Sequence, residues 1–409
     1  MAPSAWLLLA LCAACAHSAA IRSYPAADAS LFTFLGRSYP NTTTGAVAFD
    51  LEGTTLLFSI SNASFIGLQI DSNTDGGARL GVYFDSENGT AAAAAGRAAA
   101  GDPNPSGSAI PPTARVATLV TSRQQTLYTL GAGSQIRGLG PQGLLRVRVE
   151  LLTEWSHMGD RPGELFTVLA VVTDGVVAPA PPQPARRLLV LGDSLSAGPG
   201  AGFTVPPSGA PCGDGVLLND WGYTWGALLC KNFSAACEVI AGSGQTITGE
   251  GYVIPMSYPY ALGAMGEPAW PAESRVPWKA HVEGVFIELG ENDCHAYNCT
   301  VAPGRQRLAD AYVALAHTLA ATQPAGTTLP IFFTIANHEA GQSAAMGDAV
   351  AALRGAGFSR VALLNGTTPS LDPVSHEYIA NGCAGHPSAA QNALAFARMQ
   401  PIVAAALGW

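Results

Sequence analysis

The chain has 409 residues, of which 48% are hydrophobic and 12% are charged. This length and apolar content predict two domains rather than a single core. The net charge of −9 argues against a nucleic-acid-binding protein or a protein bound to anionic membranes, because either needs a basic surface. Composition alone does not choose among neutral substrates.

The first residues predict a secretory signal peptide over residues 1–20. A short apolar run, Trp6–Ala14, precedes the small residues Ser18, Ala19 and Ala20, which offer a cleavage site. The run is shorter than the roughly 20 apolar residues that span a bilayer, which argues against an N-terminal membrane anchor. No later stretch is long enough to span a membrane. We therefore expect a secreted, extracellular protein.

Cysteines and glycosylation sequons are also typical of a secreted protein. After the leader the chain has an even number of cysteines, which suits disulfides in an oxidising compartment: Cys212, Cys230, Cys237, Cys294, Cys299 and Cys383. The sequence does not choose among their possible pairings. The spacing of Cys294 and Cys299 leaves zinc ligation as an alternative, but no partnering ligand pair is found. N-x-S/T sequons begin at Asn41, Asn62, Asn88, Asn232, Asn298 and Asn365.

Residues 21–177 predict an all-β sandwich. Leu144–Glu150 alternates apolar and polar side chains as a half-buried strand does, and Phe58–Ile60 and Gly81–Phe84 behave similarly. Many short strands with turns between them and no convincing helix favour an antiparallel sandwich. The segment Asn88–Pro112 is rich in Ala, Gly and Pro and predicts a long surface loop, with a helical turn at its alanine run as the alternative.

Residues 178–185 form a Pro-rich linker, extended and semi-rigid, and residues 186–409 predict an α/β domain. Three apolar runs are typical of buried strands: Arg187–Leu191, Val285–Leu289 and Ile331–Ile335. A helix over Arg305–Thr322 has four large side chains on one face: Leu308, Tyr312, Leu315 and Leu319. This alternation predicts a parallel sheet covered by helices on both faces. In such sheets the active site lies beyond the carboxyl ends of the strands.

Three polar clusters each follow a predicted strand, so they should open at one edge of the sheet. In the first, Ser194 lies in a turn that exposes its hydroxyl together with backbone N–H groups, although helix capping by Asp193 or Ser194 is the alternative. In the second, Gly244 lets a backbone N–H approach a ligand oxygen closely, or is a simple loop glycine. In the third, Asn292 ends a strand, where its amide can donate to an oxyanion or serve only a turn.

A fourth cluster contains His386, framed by Gly385 and Pro387 and followed by a helix that Ser388 caps. A lone loop histidine is usually inert. It becomes a candidate base because a serine nucleophile needs one.

Together these clusters resemble the SGNH, or GDSL, hydrolase superfamily, in which they occur in the same order. The resemblance implies that Ser194 is the nucleophile and His386 the general base. It also implies an oxyanion hole made of the Ser194 N–H, the Gly244 N–H and the Asn292 amide. This chemistry requires no metal and no cofactor.

A closer resemblance is to the family-two carbohydrate esterases, which join a jelly-roll-like sandwich to an SGNH domain. It rests on Gly382–Pro387 and on Leu218–Trp225, and it extends over nearly the whole mature chain. It implies that the protein hydrolyses O-acyl, above all O-acetyl, esters of carbohydrate or small ester substrates. Two other functions stay open: a GDSL lipase or phospholipase-like esterase, and a non-catalytic glycan-binding protein. The sequence does not indicate the oligomeric state or the role of the sandwich.

The chain departs from the superfamily at the acid of the triad. Most SGNH enzymes carry an aspartate three residues before the histidine, and Cys383 stands there. The resemblance therefore implies a Ser-His dyad in which a backbone carbonyl orients the imidazole. Asp372 is the nearest upstream aspartate, and His376 is the rival base. Gly385 occupies the position of a bulky aromatic residue in the family.

Overall fold

A computed structural model describes residues 20–72, 78–86, 115–122, 127–132, 144–153, 166–202, 219–248, 254–260, 277–278, 280–335, 341–367, 382 and 385–409. Several sequence-based predictions lie outside these residues: the leader before residue 20, the loop Asn88–Pro112, and the roles of Cys212, Asp372, His376 and Cys383.

The described residues of the first domain form strands and no helix. Its described residues form β1 (Arg22–Pro25), β2 (Thr33–Leu35), β3 (Tyr39–Asn41), β4 (Ala46–Phe49), β5 (Thr55–Ser61), β6 (Phe65–Ser72), β7 (Arg79–Ser86), β8 (Arg115–Val120), β9 (Leu127–Ala132), β10 (Leu145–Leu151), β11 (Phe166–Thr173) and β12 (Val176–Ala178). One antiparallel sheet has the order β3-β4-β11-β6-β9, with β1 beside β11. The other has the order β12-β5-β10-β7-β8, with β2 beside β5. Successive strands from β4 to β7 alternate between the two sheets.

The two sheets share one apolar core, because alternate side chains of each strand face inward. Leu68 of one sheet and Phe58 and Val147 of the other are fully buried in it. The rings of Phe34 on β2 and Phe49 on β4 pack against each other between the sheets, with centroids 6.1 Å apart. The strands of the described residues fit the predicted two-domain fold.

The second domain has a five-stranded parallel sheet in the order β14-β13-β15-β16-β17. The strands are β13 (Arg187–Gly192), β14 (Ala236–Ala241), β15 (Gly284–Glu288), β16 (Ile331–Ile335) and β17 (Val361–Asn365). The described helices are α1 (Ser194–Ala197), α2 (Trp225–Phe233), α3 (Ile254–Ser257), α4 (Glu291–Tyr297), α5 (Ala302–Thr322), α6 (Gln342–Gly355) and α7 (Ala389–Leu407). Short 3₁₀ helices span Trp221–Tyr223 and Gly326–Thr328. The predicted α/β domain is confirmed, and so is its long helix, which begins three residues before Arg305.

Helices cover both faces of this sheet. On one face Tyr312 of α5 packs edge-on against Phe333 of β16. On the other face Trp225 of α2 packs against Phe286 of β15. The strand order reverses at β13, which lies between β14 and β15. Ligands of open α/β sheets bind at such a reversal, beyond the carboxyl ends of the strands. The fold therefore directs attention to the residues that follow β13 and β15.

The domains meet through a buried ion pair between Arg115 of β8 and Asp220. Two guanidinium nitrogens of Arg115 lie 2.5 and 2.7 Å from the two carboxylate oxygens of Asp220. Arg79 adds a hydrogen bond to the Asn219 carbonyl oxygen at 2.5 Å. This interface explains one departure from prediction: Glu150 on the polar face of β10 is buried. Only the Glu150 end of that face packs toward the second domain, where Lys231 of the second domain lies nearby, whereas Arg146 on the same face is exposed.

A second contact between the domains centres on Arg37, which is almost fully buried. Its guanidinium donates to the carbonyl oxygens of Tyr258 and Tyr260, at 2.9 and 2.6 Å. It lies 4.1 Å from the centre of a Trp278 ring and 3.8 Å from a carboxylate oxygen of Glu238. The linker contacts the sandwich, because the Thr33 hydroxyl of β2 donates to the Pro181 carbonyl oxygen at 2.7 Å.

Among the described residues of the second domain, two disulfides join cysteines that are close in sequence. Cys230 of α2 is bonded to Cys237 of β14, and Cys294 of α4 to Cys299. The second pair is the one for which the sequence left zinc ligation open, and it is occupied by a covalent bond. No helix in the described part of the chain combines the length and the apolar character that a membrane span requires.

Candidate active site

Ser194 is the first residue of α1, directly after β13, and its side chain is half-buried. The turn before it is tight: a Cβ added at Gly192 would lie 2.2 Å from the Ser196 hydroxyl oxygen. Asp193 caps the helix, because its Oδ1 accepts a hydrogen bond from the Leu195 N–H at 3.0 Å. Of the two capping residues that the sequence suggested, Asp193 is therefore the cap, and the Ser194 hydroxyl is not used for capping.

Gly244 follows β14 in a turn closed by a hydrogen bond from the Gln245 N–H to the Gly242 carbonyl oxygen, at 3.1 Å. Its φ of +77° lies in the left-handed region, which glycine adopts without strain. Gly244 is exposed, and a Cβ added there would meet no atom within 4 Å. The backbone at this position therefore borders open space that a ligand oxygen can enter.

Helix α4, which follows β15 in the chain, is hydrogen-bonded to the loop that carries Gly244. The Asn292 amide donates to the Gln245 carbonyl oxygen at 2.9 Å. The buried carboxylate of Asp293 accepts hydrogen bonds from the backbone N–H groups of Ile247 and Thr248, at 3.0 and 2.8 Å. Two adjacent residues of one helix thus fix the loop that carries Gly244. The sequence suggested a simple turn as the alternative for Asn292 and Asp293, whereas both make contacts to a different strand end.

The same Asn292 amide lies 3.4 Å from Asp193 Oδ2. This contact joins the turn of Ser194 to helix α4 at the point where the strand order reverses. The structure therefore brings three predicted clusters to one edge of the sheet. In this state the two N–H groups of the Asn292 amide face Gln245 and Asp193, and the contact to Asp193 is the longer of the two.

The loop of His386 reaches the same edge from the far end of the chain. His386 is half-buried. A Cβ added at Gly382 would lie 2.8 Å from the Gly200 carbonyl oxygen and 3.0 Å from the His386 carbonyl oxygen. Gly382 is thus in contact both with the segment that follows the nucleophile turn and with His386. A larger residue at position 382 would push these two segments apart.

Helix α7 holds the His386 loop in place. Ser388 caps it: its Oγ accepts the Gln391 N–H at 3.4 Å, and its own N–H donates to Gln391 Oε1 at 2.9 Å, so the predicted cap is confirmed. Asn392 is buried and bridges two elements: its Oδ1 accepts the Trp225 N–H at 3.0 Å, and its amide donates to the carbonyl oxygens of Pro387 and Ser388 at 3.2 and 3.1 Å. The position of the loop thus depends on a side chain that the motif analysis did not single out.

A second residue missed by the sequence analysis is Glu288, the last residue of β15. Its register partner on β13 is Gly192, and its side chain is fully buried and hydrogen-bonded to that of Asp193. Its Oε2 also accepts a hydrogen bond from the Ser196 hydroxyl at 3.0 Å. Burial raises the pKa of Asp193, and the hydrogen bond from the Leu195 N–H opposes that rise. Burial, together with the charge of Asp193, holds the pKa of Glu288 well above its ordinary range.

The described residues contain no group of three His, Cys, Asp or Glu side chains that could hold a metal ion. The groups at the sheet edge are instead a hydroxyl, an amide, a loop glycine and an imidazole. That set matches the needs of acyl transfer, in which a nucleophile, a base and N–H donors for an oxyanion act together.

Comparison with known proteins places this geometry in a structural family. No family model matches the sequence, and no curated protein matches it. A family-two carbohydrate esterase from Cellvibrio japonicus has a TM-score of 0.70 at 18% identity, covering 95% of this chain and 99% of that one. An acetyl xylan esterase from Butyrivibrio proteoclasticus has a TM-score of 0.71 at 12% identity, covering 95% and 100%.

A third structure, a family-two carbohydrate esterase from Clostridium thermocellum in complex with cellohexaose, has a TM-score of 0.67 at 18% identity, covering 92% of this chain and 99% of that one. The chain has the two-domain fold of the family-two carbohydrate esterases. The resemblance drawn from the four clusters is thus confirmed at the level of the fold. These enzymes match along nearly their full length, so the similarity includes the sandwich as well as the α/β domain.

Proposed function

We propose that this protein is a secreted serine esterase that hydrolyses O-acyl esters of carbohydrate, above all O-acetyl esters. One observation carries the proposal: Asn292 contacts both Asp193, the neighbour of Ser194, and the loop of Gly244. A nucleophile and candidate oxyanion donors therefore share one edge of the sheet. The fold shared with carbohydrate esterases supports the substrate class.

In the proposed reaction, His386 accepts the hydroxyl proton of Ser194 as the serine oxygen attacks the ester carbonyl. The tetrahedral oxyanion accepts hydrogen bonds from the Ser194 N–H, the Gly244 N–H and the Asn292 amide. The long contact of that amide to Asp193 is the one that the oxyanion replaces. Loss of one such donor typically lowers the rate by about 10²–10³. The alcohol leaves with the proton held by His386, and a water activated by His386 releases the acyl group from Ser194.

The sandwich supports the same assignment. We infer that it is jelly-roll-like, because its consecutive strands β4 to β7 alternate between two facing sheets. We also infer that the mature chain divides at the Pro-rich segment 178–185, between β12 of the sandwich and β13 of the hydrolase domain.

Secretion is supported by features of the sequence and by the two disulfides. Four of the sequon asparagines lie on exposed positions, where a glycan has room: Asn41, Asn62, Asn298 and Asn365.

The proposal is tested by a series of nitrophenyl esters of rising acyl length, followed by an acetylated glycan such as acetylated xylan. We expect the highest kcat/KM for acetyl esters and release of acetate from the glycan. Activity that rises steadily toward decanoyl esters would instead support a lipase. Glycan binding without hydrolysis of any ester would support a non-catalytic binding protein.

A further inference from the structure

Two buried carboxyl groups are hydrogen-bonded to each other directly behind the nucleophile turn. Asp193 and Glu288 are both 0% exposed, and each side chain is the hydrogen-bond partner of the other. Two carboxylates cannot form a hydrogen bond, because neither has a hydrogen to donate. At least one proton must therefore lie between them. A single carboxylate at Asp193 could be ionised without this proton. The need for the proton follows from the hydrogen bond between the Asp193 and Glu288 side chains.

The donors around the pair indicate which carboxyl holds the proton. Asp193 accepts hydrogen bonds from the Leu195 N–H at 3.0 Å and from the Asn292 amide at 3.4 Å, as a carboxylate does. Glu288 accepts one from Ser196 at its Oε2. The buried Oε1 of Glu288 receives no N–H or hydroxyl donor from the described residues. It is thus the oxygen best suited to carry the proton toward Asp193.

We propose that Glu288 stays protonated in the working protein and that its proton controls how strongly Asp193 holds the Asn292 amide. Glu288 is then a positioning residue for the oxyanion hole. This inference rests on the proposed esterase function, because it concerns one of the donors of that reaction. The carboxyl pair itself is a property of the fold and can be tested without any substrate.

The charge on Asp193 determines how strongly its carboxylate holds the Asn292 amide. While Glu288 donates to Asp193, the aspartate is a weaker acceptor, and its contact with Asn292 stays long. The amide N–H can then turn to an oxyanion at little cost. When the proton leaves, two negative charges lie side by side in a buried site, and Asp193 attracts the amide more strongly. The oxyanion would lose a donor at the moment when it needs one.

The surroundings of the pair oppose loss of this proton. Burial is the main cause that raises the pKa of both carboxyl groups. Glu291 and Asp293 at the start of α4 add negative charge nearby. Tyr312 of α5 also interacts with the pair, and burial raises its own pKa, so it stays neutral. These groups keep the proton bound through neutral pH, and its loss belongs to the alkaline range.

The first test compares Glu288→Gln with Glu288→Ala. The Gln amide donates to Asp193 permanently, and its carbonyl accepts from Ser196, so it copies the protonated acid. We expect wild-type kcat to fall in the alkaline range, with KM nearly unchanged, and Glu288→Gln to lose that fall. Glu288→Ala should lower kcat by about 10- to 100-fold at every pH. Glu283→Gln, an exposed position just before the same strand, is the control and should follow wild type.

The second test needs no activity. An unfolded Glu288 ionises near its ordinary pKa, whereas the folded protein keeps the proton, so unfolding free energy must fall as pH rises above about 4.5. Glu288→Gln has no proton to release. The amount by which its Tm exceeds the Tm of wild type should therefore grow from pH 5 to pH 9, as the unfolded wild-type chain loses the Glu288 proton that the folded protein keeps. The infrared carbonyl band of a protonated carboxylic acid should also be present in wild type at neutral pH.

The outcomes separate the two claims. If wild type hydrolyses no ester, the proposed function fails, but the infrared band and the Tm difference still decide the carboxyl pair. If wild type is active and Glu288→Gln shows the same alkaline fall in kcat, the positioning role is wrong. A Tm difference that does not change with pH, or the absence of the infrared band, would show that no proton is shared.

Discussion

The Oδ1 oxygen of Asn392 accepts a hydrogen bond from the Trp225 N–H at 3.0 Å, and this bond ties helix α7 to the start of α2. The amide of the same side chain donates to the carbonyl oxygens of Pro387 and Ser388. The loop of His386 therefore depends on one buried side chain that serves as both acceptor and donor.

Asn392→Ala should destabilise the protein and weaken its activity. The Trp225 N–H and the Pro387 carbonyl oxygen would lose this partner, whereas the Ser388 carbonyl oxygen keeps the backbone N–H of residue 392. An unsatisfied buried group typically costs about 1–3 kcal/mol, so we expect a loss of about 2–4 kcal/mol. Urea unfolding measures this loss. Asn392→Asp keeps an acceptor for Trp225 but turns a negative charge toward two carbonyl oxygens. We expect it to lower kcat more than a comparable loss of stability explains. If Asn392→Asp and wild type have equal kcat, the contact of Asn392 with helix α2 does not influence how His386 acts as the base.

Ser194→Ala should abolish turnover while the fold remains intact. Removing a nucleophile typically lowers kcat by several orders of magnitude, on the order of 10⁴ or more. Because Ser194 caps no helix, circular dichroism and Tm should stay close to wild type. A fluorophosphonate probe should label wild type at Ser194 only, as identified by peptide mass spectrometry. Labelling at a different serine would remove Ser194 from its proposed role.

His386→Ala should likewise abolish turnover, because the serine hydroxyl needs a base within hydrogen-bond reach. His376→Ala and Asp372→Ala should change kcat little, since Cys383 replaces the usual acid and a backbone carbonyl is expected to orient the imidazole. A crystal structure with a carboxylate about 2.6–3.2 Å from His386 Nδ1 would restore a triad and contradict this dyad.

The two disulfides should differ in their effect on catalysis. Removal of either disulfide by paired Cys→Ala substitution should lower the unfolding free energy by about 2 kcal/mol, because each disulfide closes only a short loop. Cys294 lies on α4 beside Asn292 and Asp293, so Cys294→Ala with Cys299→Ala should also lower kcat. Cys230→Ala with Cys237→Ala lies away from these residues and serves as the matched control. Alkylation of the native protein followed by mass measurement should find none of these four thiols free, and a reactive thiol there would contradict both bonds.

Arg115→Ala should loosen the contact between the domains. It leaves the buried Asp220 carboxylate with only Arg79, 3.7 Å away, as a cationic neighbour among the described ion pairs. Loss of one partner of a buried ion pair typically costs about 3–5 kcal/mol. Arg305→Ala is the control, because its pair with Asp348 is roughly half-exposed and should contribute below about 1 kcal/mol. Similar urea midpoints for the two variants would show that the Arg115 pair does not hold the domains together.

The sequence is sufficient to predict where the polar clusters meet. Parallel strands end at one edge of a sheet, so residues that follow β13, β14 and β15 must lie near one another. For that reason the proximity of Ser194, Gly244 and Asn292 follows from strand prediction together with motif order.

Contacts that depend on register or on long-range packing could not be predicted in this way. Glu288 is visible as one acid in the apolar run of β15, but its partner is known only once Gly192 and Glu288 are found side by side. Arg115 and Asp220 are 105 residues apart, and no local pattern links them. Glu150 looks like a surface residue of an alternating strand and is buried only because a second domain covers it.

The interface arginines restrict how this protein can exchange parts with its structural relatives. Arg37 and Arg115 belong to the sandwich, and their carboxylate partners Glu238 and Asp220 belong to the second domain. A recombinant that crosses over within residues 178–185 would combine a foreign sandwich with these two buried acids. Unless the foreign sandwich supplies a cation at both places, the acids lose a counter-charge and the chimaera fails to assemble. A crossover that preserves these ion pairs must therefore carry both domains together.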